Sequence, residues 1–276
     1  MTEFNGKAYF YSHLPQFGHE LWEYDGSNPP TMVADINPGS ASSAPFPKKA
    51  VVYNGKLYFR ADDGTNGTEL WEYDGVNLPA MAADINPGAA NSDPDYLVVM
   101  NGILYFAAIT ATDGWELFSF DGSSVSLAAD INPGTGYGLV QYLTVLNDTL
   151  YFSAQDGTDG RELWGFDGTN PAVKKADIYP GNTGSFPAYP TGLDSTLYLA
   201  ASAPGYTREF YSYKNGVLTL HEVNSATVDA NVKHMMAYNG QVYFSGYENP
   251  HGTALWTYNP ANAGGSATRQ PLPTQY

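Results

Sequence analysis

Seven residues, Glu20-Leu-Trp-Glu-Tyr-Asp-Gly26, recur letter for letter at 69–75, 49 positions further on. The string is one part of a longer period. Tyr-Phe pairs, or their Tyr-Leu equivalent, begin at Tyr9, Tyr58, Tyr105, Tyr151, Tyr198 and Tyr243, at spacings of 49, 47, 46, 47 and 45. A repeat of this length cannot bury its apolar face alone and must stack on a neighbour. The period therefore constrains the architecture more than any compositional value does.

Each copy reads as strands only. Residues 96–100 form an apolar run, Asn101-Gly102 is the hairpin turn that suits right-handed strand twist, and 103–107 return as the next strand. The turn recurs at Asn5-Gly6, Asn54-Gly55 and Asn239-Gly240, and in weaker form at Asn147-Asp148 and Asp194-Ser195. A Gly-rich loop at 62–67 precedes the second ELWEYDG, in which Glu69, Trp71 and Tyr73 share one face while Leu70 and Glu72 share the other. Asp74-Gly75 turns the chain into a fourth strand, predicted over 80–85 and ended by Asn86-Pro-Gly88. The expectation is an all-β chain, a six-bladed β-propeller with four antiparallel strands per blade. It forms a single domain, 1–276, with blades at about 1–39, 40–88, 89–134, 135–181, 182–226 and 227–276. Residues 1–4 supply a first strand to blade one, and 267–272 a fourth strand to blade six.

Composition narrows the partners. The 276 residues are 43% hydrophobic and 14% aromatic, enough for a sizeable core. Twelve basic against 28 acidic residues leave a net charge of −16, which argues against a nucleic-acid partner and against anionic membranes. No apolar run reaches the roughly 18 residues of a spanning helix, so no membrane insertion is expected. Cysteine is absent, which removes disulfides and thiolate metal sites. The first ten residues lack the basic and apolar regions of a signal peptide. They begin almost inside a repeat, as a piece of a longer chain would.

ELWEYDG, ELFSFDG (116–122) and ELWGFDG (162–168), each followed by ADINPG or ADIYPG, resemble the bacterial ELWxxDGT repeats. The strand order is similar to that of kelch propellers. The resemblance spans roughly 7–181 and fades in the fifth copy, REFYSYKNG, and in the sixth, TALWTYNP. It implies a segment of a large extracellular or cell-surface bacterial protein with adhesive roles, and it names no substrate or catalytic residue.

Chemistry must then be sought in individual positions. Trp22, Trp71, Trp164 and Trp256, with Phe118 and Tyr211 at the equivalent places, are either sugar-stacking platforms or filling between blades. Replacement by Phe and Tyr keeps bulk and points to filling. Asp35, Asp84, Asp130 and Asp177, with nearby Asp-Gly loops, offer oxygen ligands that leave Ca²⁺ open as a cofactor. None matches an Asp-x-Asp-x-Asp-Gly loop, and turn capping accounts for them more simply. His13, His19 and His251 fall in corresponding loops of blades one and six.

A more specific signal comes from the first strand of each blade. Counting back four residues from the last residue before the hairpin turn aligns Lys49, Tyr96, Tyr142, Tyr189 and His234. Rotational repetition would set these at one height around the mouth of a central channel, on the face of the DINPG loops. Three phenols, a lysine and an imidazole there are the candidate ligand-binding residues, for a small molecule, glycan or protein ligand at the loop face. No GxSxG, HExxH or phosphate loop is present, so no catalytic residue is assigned. The resulting expectation is a non-enzymatic extracellular recognition module. The alternatives are an enzyme at the channel mouth, with a tyrosine or His234 as acid–base group and Lys49 as electrostatic partner, or a purely architectural adhesin segment.

Overall fold

The computed structural model describes residues 1–43, 50–223, 229–262 and 266–270. These contain 24 strands and no helix, arranged as six four-stranded antiparallel sheets whose strands follow chain order. The fold class is the expected all-β, six-bladed β-propeller. The chain divides into two compact units, 1–138 and 139–276, with three sheets in each. In the first unit the sheets are β1–β4 (Thr2–Phe4, Lys7–Leu14, Gly18–Tyr24, Thr31–Ala34), β5–β8 (Val51–Tyr53, Lys56–Asp62, Thr68–Tyr73, Ala80–Ala83) and β9–β12 (Asp95–Met100, Ile103–Thr110, Gly114–Phe120, Val125–Ala129). In the second they are β13–β16 (Gln141–Leu146, Thr149–Ala154, Glu162–Phe166, Val173–Ala176), β17–β20 (Ala188–Leu193, Thr196–Ala203, Tyr206–Lys214, Val217–His221) and β21–β24 (Lys233–Tyr238, Gln241–Glu248, Gly252–Tyr258, Thr268–Arg269). Residues 2–4 supply the first strand of the first sheet and 268–269 the fourth strand of the sixth, each an edge strand, while 271–272 of the expected strand lie outside the described residues.

The repeated string can be read residue by residue in β7. Leu70 is fully buried against Leu104 and Phe106 of the third sheet, while Trp71 and Tyr73 pack with Phe4, Tyr9 and Leu21 of the first. The two faces of one strand thus serve two neighbours, which is why neither can vary freely. Glu72 accepts a hydrogen bond from Lys56 Nζ at 2.6 Å and from Tyr58 Oη at 2.8 Å. Glu23 does the same with Lys7 at 2.7 Å and Tyr9 at 3.0 Å. In the third and fourth copies the glutamate becomes Ser119 or Gly165 and the lysine becomes Ile103 or Thr149. The verbatim identity of 20–26 and 69–75 therefore reports a Lys–Glu–Tyr set that these copies do not share. Asp74 closes the turn by accepting from the amides of Val76 and Asn77, both at 2.8 Å, and Gly75 takes the positive φ of 86° that the turn needs.

Trp71, Phe118, Trp164, Tyr211 and Trp256 are buried and Trp22 is half-buried, so these rings fill the structure and do not form a common exposed platform. Asp25, Asp121 and Asp167 cap their turns as Asp74 does, and the turn donors hold each of the three carboxyls down at about 2, led by a backbone amide at Asp25 and Asp121 and by the Asn170 side chain at Asp167. Among the described residues, no group of three or more His, Cys, Asp or Glu is placed to hold a metal ion. His13 and His19 face each other across β2 and β3 with ring centroids 4.7 Å apart.

The first glutamate of the string has the widest reach. Glu69 has no exposed surface, and its carboxylate accepts from Ile85 N at 2.7 Å, Ser92 N at 3.0 Å and Ser92 Oγ at 2.6 Å. The fourth strand stops at Ala83, short of the expected 85, because the Ile85 amide leaves the ladder for this carboxylate. Glu20 binds Ile36 and Ser43 in the same way, and Glu162 binds Ile178, Tyr179 and Ser185. In the third copy Glu116 reaches Ile131, Asn132 and Gly138. A Cβ at position 138 would overlap that carboxylate, which explains glycine where other copies carry serine. Glu209 accepts from Val223 N at 3.2 Å, and its other carboxylate oxygen, Oε1, is buried without a hydrogen-bond partner. The sixth copy carries Ala254 and has no such carboxylate. Each of the first four joins the loop after its own fourth strand to a segment further along the chain.

Burial pushes Glu69, Glu116 and Glu209 up to about 7, against the opposing pull of the donors. A carboxyl raised from 4.5 binds its proton more tightly in the folded state, so its contribution is fully present below pH 4.5 and is lost as pH rises through about 7. Scanning calorimetry from about pH 5 to pH 8 should show a falling Tm, with a shallower fall for Glu69→Gln than for the wild type. Identical slopes would contradict the assignment.

Candidate functional site

The first strands β9, β13, β17 and β21 share an irregularity that the hydrophobic pattern conceals. In β13, Gln141 pairs with Ser153 and Thr144 with Tyr151, so three steps on one strand oppose two on the other. The same extra residue occurs between Asp95 and Val98, between Ala188 and Thr191, and between Lys233 and Met236. At each bulge a residue adopts left-handed backbone: Tyr96 (φ 56°), Tyr142 (58°), Tyr189 (53°) and His234 (53°). A bulge bends the strand and re-aims the side chain it carries, and glycine is the usual occupant of a left-handed bulge position. A side chain with a Cβ costs about 1–2 kcal/mol in that conformation. The chain uses glycine freely elsewhere, with 29 in all, yet carries a bulky ring at each of these four positions. The left-handed conformation thus recurs at four equivalent points, each occupied by a ring.

In the second unit β13, β17 and β21 lie side by side, and their bulges set three rings in a row. Tyr142 and Tyr189 have centroids 5.3 Å apart with planes tilted by 59°, and Tyr189 and His234 are 5.2 Å apart with a 51° tilt. His234 is exposed and the two tyrosines are half-buried. Behind Tyr142, the gap bordered by Pro187, Pro190 and Leu199 measures about 10 Å³, room for one water at most. A ligand would therefore lie against the rings and not insert behind them.

Arg161 and Phe186 flank the row and escaped the sequence reading. The Arg161 guanidinium donates to Gln141 Oε1 at 2.9 Å and lies 5.5 Å over the Phe186 ring, which is 44% exposed. Phe186 is itself left-handed, as are Asp93, Leu139 and Asn231 at the corresponding positions three residues before each bulge. A signal for Arg161 was present: it stands beside the repeated glutamate, and the fifth copy has Arg208 there. Of the five expected residues, Tyr142, Tyr189 and His234 come together. Tyr96 has the same bulge geometry in the first unit, where its amide donates to Asp95 Oδ1 at 2.8 Å. Lys49 lies outside the described residues.

Chemically, the row offers tilted aromatic faces, an imidazole and phenol hydroxyls, with Arg161 and Lys233 nearby in sequence and strand position. It suits stacking and hydrogen bonding. Because glycine relieves left-handed strain, Tyr189→Gly should be more stable than Tyr189→Ala by about 1 kcal/mol in urea unfolding. An alanine variant as stable as the glycine variant would show that the position is unstrained.

No protein-family model matches the chain, and no curated protein matches it. Similar solved structures include a puromycin-hydrolyzing peptidase of Mycobacterium tuberculosis, 11% identical, with a TM-score of 0.63 over 99% of this chain and 46% of that one. A prolyl endopeptidase structure is 10% identical, with a TM-score of 0.55 over 99% of this chain and 50% of the other. A puromycin hydrolase is 14% identical, with a TM-score of 0.52 over 94% and 42%. The chain spans half or less of each of these proteins, and at such identities the likeness shows the fold alone.

Proposed function

We propose that this chain is a recognition module of an extracellular or cell-surface protein, and that it binds a flat, partly apolar ligand along Tyr142, Tyr189 and His234. The observation that carries this reading is the retention of ring side chains at strained bulges, three of them in contact. Strain of that kind is removed by a single glycine substitution, so its persistence favours a role outside folding. The ligand class is a small molecule, glycan or protein side chain whose ring stacks on the row. A polar or anionic end would be met by Arg161, His234 or Lys233. The extracellular setting is supported by the ELWxxDGT resemblance, which rests on the quoted repeat residues. In the enzymatic alternative His234 would act as an acid–base group on a ligand held by the tyrosines.

Calorimetric titration with aromatic carboxylates and with oligosaccharides tests the site. A binder should lose about tenfold in affinity on Tyr142→Ala or Tyr189→Ala, the scale of one lost aromatic contact. Binding untouched by both substitutions would contradict the reading. Conversion of the ligand during the titration would transfer support to the enzymatic alternative.

A further inference from the structure

An open groove of about 670 Å³ lies in the first unit between the second and third sheets, well within the range of ligand sites. Its position coincides with departures of the third copy from the repeat. Phe118, which lines the groove, stands where the first, second, fourth and sixth copies have tryptophan, so a smaller ring leaves space. The segment from Asp121 to Asp130 is one residue shorter than its counterpart from Asp74 to Asp84 (9 steps against 10). Ser123-Ser124-Val125-Ser126 replaces the Asn- and Pro-bearing stretch found in copies one, two and four.

The groove's chemistry is one-sided. It contains Asp84 and Asp113 and no Lys, Arg or His. Thr110 and Thr112 donate their hydroxyl protons to Asp113 Oδ2 at 2.7 and 2.8 Å. Ser123 and Ser124 donate theirs to Asp121 at 2.8 and 3.2 Å. Thr110 Oγ1 already accepts from the Asp113 amide at 2.9 Å; with those protons committed, the hydroxyls of Thr112, Ser123 and Ser124 offer lone pairs, and the two carboxylates add more. The surrounding unit, 1–138, has 5 basic and 17 acidic residues, a net charge of −12. Ala82, Ala83, Val125 and Leu127 supply apolar wall between these acceptors, and Leu127 is 37% exposed.

We propose that this groove binds an ammonium or guanidinium group carried on an aliphatic stem, the chemistry shared by free polyamines and by the side chains of a basic peptide. The cation supplies several donors to a wall rich in acceptors, and its methylenes cover Ala82, Ala83 and Leu127. An anion would meet lone pairs and a negative field. A neutral saccharide would bring donors to the hydroxyl lone pairs but no charge to balance the carboxylates.

The test is calorimetric titration of the whole chain with spermidine, a short lysine peptide, its acetyl-lysine counterpart and a neutral oligosaccharide. The variants are Phe118→Trp, which restores the ring of the repeat without changing charge, Leu127→Arg and Asp113→Asn. The wild type should bind spermidine or the lysine peptide but not the acetylated peptide. Affinity should fall about tenfold in each variant that keeps the wild-type circular dichroism spectrum. Binding of spermidine alone assigns a free polyamine, and binding of the peptide assigns a basic segment. If Phe118→Trp fails to fold, Leu127→Arg and Asp113→Asn decide. Cation binding of equal strength in the wild type and the folded variants would be diffuse attraction to an acidic surface and would overturn the proposal. So would saccharide binding in place of cation binding, or no binding at all.

Discussion

A buried carboxylate ties each of the first four blades to the next stretch of chain. Glu69 and Glu162 each gather donors from two segments, the loop after their own fourth strand and a stretch 23 residues further along. Leaving such buried donors without an acceptor costs about 1–3 kcal/mol apiece, so the glutamate is fixed by several partners at once. Its consequence extends to the site. Ser92 lies four residues before Tyr96, and Ser185 four before Tyr189. The residue that recurs for the sake of folding thus also sets the start of a later first strand, and with it the bulge that aims the ring.

Much of this was legible in the chain. Period-two alternation placed Trp71 and Tyr73 on one face and Leu70 on the other, and the Asn-Gly turns fixed the hairpins. The count back from those turns found Tyr96, Tyr142, Tyr189 and His234 because a repeated turn preserves spacing even through a bulge. The bulge itself was hidden: glycine would have announced a left-handed position, whereas tyrosine and histidine gave no such notice. The role of Glu69 was hidden for a different reason. Its partners include backbone amides 16 and 23 residues away, and no side-chain pattern encodes them. Arg161 and Phe186 were missed because their pairing belongs to one copy, where averaging over repeats erases it.

The departures from the repeat carry as much information as the repeat. Where copies agree to the letter, as at 20–26 and 69–75, the shared residues answer to a shared Lys–Glu–Tyr set on adjacent strands. Where the third copy replaces tryptophan with Phe118 and shortens the next turn, a groove opens beside an acceptor-rich wall. Local rules in a repeat protein are satisfied by neighbours, so positions that break them at little evident structural gain are where binding chemistry belongs.

The site's geometry turns on the link from buried glutamate to aligned rings. That link is tested most directly by the nuclear Overhauser cross-peak between the Tyr189 and His234 rings, now 5.2 Å apart, in a Glu162→Ala chain whose strands remain intact by backbone chemical shift. With Ser185 released, the segment leading to Tyr189 should leave its left-handed geometry, and the cross-peak should weaken or vanish. A cross-peak of wild-type intensity would show that the rings are positioned without the carboxylate, and would contradict the link.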